Sequence, residues 1–125
     1  MSEIFILLII FQIKHFLADF PMQGKYMLGK FKLGFDWIAP LGAHCLVHAL
    51  FTALIVFWYL PPKDYWYLPV IDFVIHFIQD RIKASPNILG RWKPDNKYFW
   101  WALGQDQMVH HLTHYWIISE IISNV

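Results

Sequence analysis

Residues 37–60 read WIAPLGAHCLVHALFTALIVFWYL, a stretch without a single Asp, Glu, Lys or Arg. Crossing the hydrocarbon of a bilayer takes about 20 predominantly apolar residues, so Trp37–Leu60 is predicted to be a membrane-spanning helix. It carries His44 and His48, four positions apart and therefore on one helical face. An imidazole pair on one face of so apolar a helix needs polar partners from other helices.

Working outward, three more apolar stretches supply them. One runs from about Glu3 to Phe20 and stops at Pro21, one from about Asp64 to Ala84 before Pro86, and one from about Tyr98 to Ile122. The first and third are near the short end of the spanning range and would be borderline on hydropathy alone. The N-terminal run begins with Glu3 rather than a basic segment and leads into Lys14, His15 and Asp19, so it reads as a retained helix rather than a cleavable signal. Composition agrees with a membrane class: 58% of residues are hydrophobic, 19% aromatic and 15% charged, against about 25% charged in soluble domains. The expected fold is all-α, a polytopic membrane protein forming one four-transmembrane-helix bundle over residues 1–125. The net charge of +1 gives no electrostatic ground for a nucleic-acid partner; the expected partners are the bilayer and a lipid or lipid-linked substrate, with a homo-oligomer compatible. The single Cys45 excludes an intrachain disulfide.

Charge sets the orientation. With four spans, loops 21–36 and 85–97 share a side, which with adjacent helix ends holds Lys25, Lys30, Lys32, Arg81, Lys83, Arg91, Lys93 and Lys97, while the other side holds Lys63. Cytoplasmic loops are the Lys/Arg-rich ones, so both termini are expected to be non-cytoplasmic. Trp37, Trp100 and Trp101 would mark the cytoplasmic interface, and Trp58, Tyr59, Tyr65, Trp66 and Tyr67 the opposite one. The segment GKYMLGKFKLGFDW (24–37) reads as an interfacial connector, with an amphipathic in-plane piece as the alternative.

The chemistry lies in a repeated spacing. His15 and Asp19, His44 and His48, Asp72, His76 and Asp80, and Asp106, His110 and His114 place His or Asp four apart on every helix. Seven His and seven Asp scattered at random would give about 1.5 such pairs, whereas a helical face collects them. Most fall in one layer of the cytoplasmic half, with Asp72 and His114 deeper. An Asp near the centre of a membrane helix costs about 2.5–3.5 kcal/mol, so Asp19, Asp72, Asp80 and Asp106 unpaired would cost on the order of 10 kcal/mol. The helices contain few cations to neutralise them, and Lys14 and Arg81, near helix ends, are expected to snorkel to water.

One or two divalent metals would neutralise these carboxylates and use the imidazoles together, zinc foremost, with iron or manganese as alternatives. The candidate ligands are His15, Asp19, His44, His48, His76, Asp80, Asp106, His110 and His114, with Asp19 and Asp106 as candidates for proton transfer. A metal-free proton relay would use the same residue types. His111 reads as an interhelical hydrogen-bond partner, Gln12, Gln79, Gln107 and Thr113 as supporting groups, and Met22, Met27 and Met108 as packing residues.

The motifs QIKHFLADFPMQGKYML (12–28), H44xxxH48, D72xxxH76xxxD80 and GQDQMVHHLTH (104–114) resemble a family of small bacterial and phage membrane proteins catalogued as a domain of unknown function, number 3307. The resemblance covers nearly the whole chain and implies a multi-pass membrane protein, often phage-associated; the expected location is the bacterial inner membrane. The VHHLTH segment is also similar to inner-membrane metal-dependent hydrolases, which would make His110 and His114 ligands and the activity hydrolysis by metal-activated water. HxxxH at His44–His48 and HHxxH at His110–His114 are similar to the di-iron boxes of membrane fatty-acid hydroxylases and desaturases, although those carry more His. The expected function is that of a membrane-embedded hydrolase, with a non-haem di-iron oxidase or hydroxylase and a non-enzymatic phage membrane factor or metal or proton transporter with a structural metal as alternatives. The nearly pure apolar runs Ile4–Phe11 and Leu50–Phe57 argue against a pore through a monomer.

Overall fold

The computed structural model describes residues 1–125. It is all helical: α1 (Glu3–Asp19), α2 (Ile38–Tyr59), a single turn α3 (Pro62–Tyr65), α4 (Tyr67–Ala84) and α5 (Lys97–Asn124), with 3₁₀ turns at Met27–Phe31 and Leu89–Arg91. Prolines set most boundaries. Pro21 follows the end of α1, and Leu60 and Ser85 adopt extended backbone before Pro61 and Pro86, as the residue before proline must. Pro40, Pro62 and Pro69 sit in first turns, where a missing N–H costs nothing. Asn96 caps α5 by accepting from the Tyr98 amide at 2.9 Å. The expected third helix from Asp64 is divided, with α3 ending at Tyr65 and α4 starting after Trp66, because the Pro61–Pro62 turn first makes its own short helix.

The four long helices form an up-and-down bundle. α2 packs on α1 and α4, and α5 packs on α4 and α1, so α1 faces α4 across the diagonal. At the end holding both termini, Leu7, Phe11, Val56, Leu60, Leu68, Ile117, Ile118 and Ile121 make one apolar cluster, and Tyr59 donates to Glu3 at 2.5 Å. Toward the other end the interior is polar. Of the 32 buried residues, 15 are polar or charged and 14 are apolar core residues, a ratio far from that of a soluble core.

The outward faces reverse this pattern. Phe5, Ile9, Ile13 and Phe16 on α1, Leu46, Leu50, Leu54 and Trp58 on α2, Val70, Val74 and Ile78 on α4, and Met108 and Leu112 on α5 are all exposed. Met22 and Met108, expected to pack, are 45% and 54% exposed, Met22 in the turn after α1 and Met108 on the outward face of α5. By length and hydropathy one helix, Ile38–Tyr59, is apolar enough to cross a membrane.

The 21–36 connector is anchored rather than free. Arg81 Nη1 donates to the carbonyls of Lys30 and Lys32 at 2.9 and 3.2 Å and stacks over Trp37 at 4.1 Å. Gly29 lies so close to Pro40 that an added Cβ would come within 2.7 Å of its ring. Only glycine lets this turn settle on α2, and that turns Lys30 inward.

Candidate metal centre

The i, i+4 stripes all point inward and meet in one layer. From α1, Asp19 Oδ1 lies 2.7 Å from His48 Nε2 and 3.3 Å from His44 Nε2, and its Oδ2 is 3.1 Å from His15 Nε2. His44 Nε2 is also 3.3 Å from Asp80 Oδ2. On the far side His110 Nε2 sits between Asp80 Oδ1 at 3.0 Å and Asp106 Oδ1 at 3.1 Å. A continuous chain of acid and imidazole thus joins all four long helices, and its residues are the ones expected from spacing.

Three groups within this layer have donor atoms close enough to share an ion: Asp19, His44 and His48; Asp80, Asp106 and His110; and, deeper, Asp72, His76 and His114. For bonds of about 2.0–2.1 Å, the edge of a tetrahedral zinc shell is about 3.3–3.4 Å. Most of the acid–imidazole separations above come within a few tenths of that edge. Imidazole and carboxylate are donors suited to zinc, manganese or iron.

His76 is the strongest sign that the chain alone does not complete this layer. Its ring is fully buried between His48 and His110, at centroid distances of 4.1 and 4.0 Å, and neither nitrogen has a hydrogen-bond partner. Its Nδ1 is 3.7 Å from Asp72 Oδ1, beyond hydrogen-bond reach. Buried polar atoms are normally satisfied, and a cation is one group that would use such a lone pair. The outer Nδ1 atoms of His15, His44, His48 and His110 also lack partners. The hydrogen bonds that usually orient metal-bound imidazoles are therefore replaced here by ring-on-ring packing.

Lysines overturn one expectation. Lys14 does not snorkel: it is 2% exposed, and its Nζ donates to Asp72 Oδ2 at 3.3 Å and contacts His114 Nε2 at 3.1 Å. An ammonium has no lone pair, so His114 must accept through Nε2. Thr52 adds a 2.5 Å bond to Asp72 Oδ2. The deep group therefore already holds a cation belonging to the chain. Lys83 Nζ lies 3.1 Å from Asp106 Oδ2, and Lys30 Nζ is 3.9 Å from Asp80 Oδ2 and bonds Gln23 at 2.9 Å. Asp72, Asp80 and Asp106 each meet a lysine, whereas Asp19 meets three imidazoles and none. From the sequence, Lys30 and Lys83 speak only to the orientation of the loops, and Thr52 to no role. Thr52 continues the His44–His48 stripe and Lys83 follows Asp80, whereas Lys30, in the connector, carries no such signal.

The supporting groups behave as their positions suggest. Gln107 bonds His15 and Asp106, Gln79 and Gln105 exchange two bonds, and Gln12 pairs with His111 at 3.2 Å. Thr113 turns back to the Val109 carbonyl. A pocket of about 390 Å³ reaches the layer from the loop side, and of its 11 lining residues only Phe20 and Leu103 are hydrophobic. Asp19, Asp80, Asp106, His15 and His110 face it; Asp72, His76 and His114 do not.

The sequence profile of a family described as "Protein of unknown function (DUF3307)" matches residues 5–124. No curated protein and no solved structure matches the chain.

Proposed function

The chain belongs to the DUF3307 family, a description that carries no activity, and from its own geometry we propose that it is a membrane-embedded metal-dependent hydrolase acting on a lipid or lipid-linked substrate. The observation that carries the reading is the Asp19–His44–Asp80–His110–Asp106 chain, which opens on a polar pocket while the outside of the same helices is apolar. Water favours the opposite arrangement, whereas in a bilayer ionisable side chains turn to the bundle interior. The Lys/Arg-rich loops and Trp37, stacked beneath Arg81, support four spans with both termini non-cytoplasmic, and the bacterial inner membrane as the location.

Asp19, His44 and His48 would hold one ion, and Asp80 and His110 would serve a second, within reach of the pocket. Bound there, the metal supplies Lewis-acid activation of water and of the scissile group. Asp19, surrounded by three imidazoles, suits a ligand. Asp106, which faces the pocket beside Lys83 and Gln107, is the carboxylate we assign to proton transfer. Hydrolysis is favoured over hydroxylation because the pocket at the site is polar, suited to a head group; an oxidase acting on an acyl chain needs an apolar slot against its metal.

The test is turnover of lipid esters and phosphoesters by detergent-purified, zinc- or manganese-loaded protein, beside Asp106→Asn. Turnover that falls about 10²–10⁴-fold in the variant while the Asp19 group keeps its ion supports the reading. Oxygen-dependent turnover with iron would replace it with the oxidase.

A further inference from the structure

We infer that the substrate is an anionic amphiphile, a lipid phosphate, whose head enters the polar pocket beside Lys30 and Lys83 and whose chain lies in the apolar cavity beyond Leu103. The inference rests on the hydrolase reading and names its substrate class.

The first argument is charge. Asp19, Asp80 and Asp106 line the pocket together with Lys30 and Lys83, so with neutral imidazoles the wall carries one excess negative charge. A single divalent ion makes the wall net positive by one, and a second makes it positive by three. Uncompensated charge is expensive away from water, so a loaded pocket favours an anion. A site built only to hold metal gains nothing from ammonium groups against its ligand carboxylates. Both lysines are nevertheless placed there, Lys83 at 3.1 Å from Asp106 and Lys30 at 3.9 Å from Asp80. Once metal neutralises the carboxylates, the two ammonium groups are free to meet phosphate oxygens, a role that suits lysine as a point charge. Lys30 is also held for this purpose, since Arg81 pins its carbonyl and Gly29 seats its turn against Pro40.

The second argument is shape. A further cavity of about 320 Å³ shares Lys83 and Leu103 with the polar pocket, and six of its eight lining residues are hydrophobic, among them Phe31, Trp92 and Phe99. Polar room for a head and apolar room for a chain therefore meet at one lysine and one leucine. Each volume lies in the range of small-molecule sites, about 300–1,000 Å³. A free phosphate would use the first and leave the second idle.

The test measures equilibrium binding of phosphatidic acid, inorganic phosphate and diacylglycerol to the full chain in non-ionic detergent, with metal content determined on the same samples. Phosphatidic acid is expected to bind at least about tenfold more tightly than inorganic phosphate, and diacylglycerol not to compete. The pair Lys30→Met and Lys83→Met weakens phosphatidic acid by about tenfold or more, and the pair Lys30→Arg and Lys83→Arg restores it. Ala102→Phe, at a residue that lines the apolar cavity and not the polar pocket, weakens phosphatidic acid and leaves inorganic phosphate unchanged. Diacylglycerol binding as well as phosphatidic acid, or full affinity in the methionine pair, would overturn the inference while retained metal leaves the hydrolase reading standing. Equal affinity for inorganic phosphate would remove the amphiphile, and protein that takes up no metal would overturn both.

Discussion

At the end of the bundle that holds the termini, Leu7, Phe11, Val56, Leu60, Leu68, Ile117, Ile118 and Ile121 fill the interior. A few turns along the same four helices, six imidazoles, three carboxylates and Lys14 fill it instead, with Asp19 half-buried beside them. The first region asks only for volume and shape, and many apolar combinations would serve. The second asks for a partner at each polar atom, and an unmatched group there costs more than a missing methyl. Identity is therefore concentrated in the polar layer, with the apolar end serving as its clamp.

The sharpest way to break this contrast is Lys14→Met. It leaves Asp72 buried without its cation and is expected to cost about 3–5 kcal/mol, read as thermal unfolding in detergent. Pairing it with Asp72→Asn is expected to recover most of that loss; a double variant as unstable as the single would show that the ion pair is not what matters. Next comes the outer face. Leu54 is 72% exposed, and Leu54→Lys on a soluble protein would be nearly neutral, within about 0.5 kcal/mol. In a bilayer it is expected to cost about 2.5–3.5 kcal/mol and reduce membrane integration. Unchanged fractionation into membranes would contradict the four-span reading.

In the apolar clamp, Leu7→Ala is expected to cost about 2 kcal/mol if the bundle lies in a bilayer, the low end for a large-to-small core change, since lipid would then be as apolar as the core. Metal content would stay unchanged; a loss of metal would mean that the two regions are not separable. The smallest effect is expected at the margin, where Gln12→Leu removes the bond to His111. Interhelical hydrogen bonds in membranes average about 0.6 kcal/mol, and a loss above 2 kcal/mol would place His111 in the polar layer proper.

The contrast also explains what could be read from the chain. Spacings of four at His44–His48 and Asp72–His76–Asp80 fix which faces turn inward, and prolines fix where helices end, so the bundle and its acid–imidazole layer were legible. The destination of a long side chain was not. Lys14 lies one residue before His15, and nothing local says that it crosses the diagonal to Asp72 instead of reaching water. Lys30 sits in a connector, and its inward turn depends on Gly29 against Pro40 and on Arg81 from α4. Both are tertiary facts, and they correct the expectation that few cations reach the carboxylates and that Lys14 turns to water.

The central claim is that the polar layer holds metal. Its most direct test is element-resolved metal content of the detergent-purified chain beside the double variant His48→Ala, His110→Ala. One or two ions of zinc, manganese or iron per chain, lost in the double variant while helicity is retained, is the predicted result. A folded wild-type chain that takes up no metal even after reconstitution would contradict it and leave a purely proton-linked or structural core.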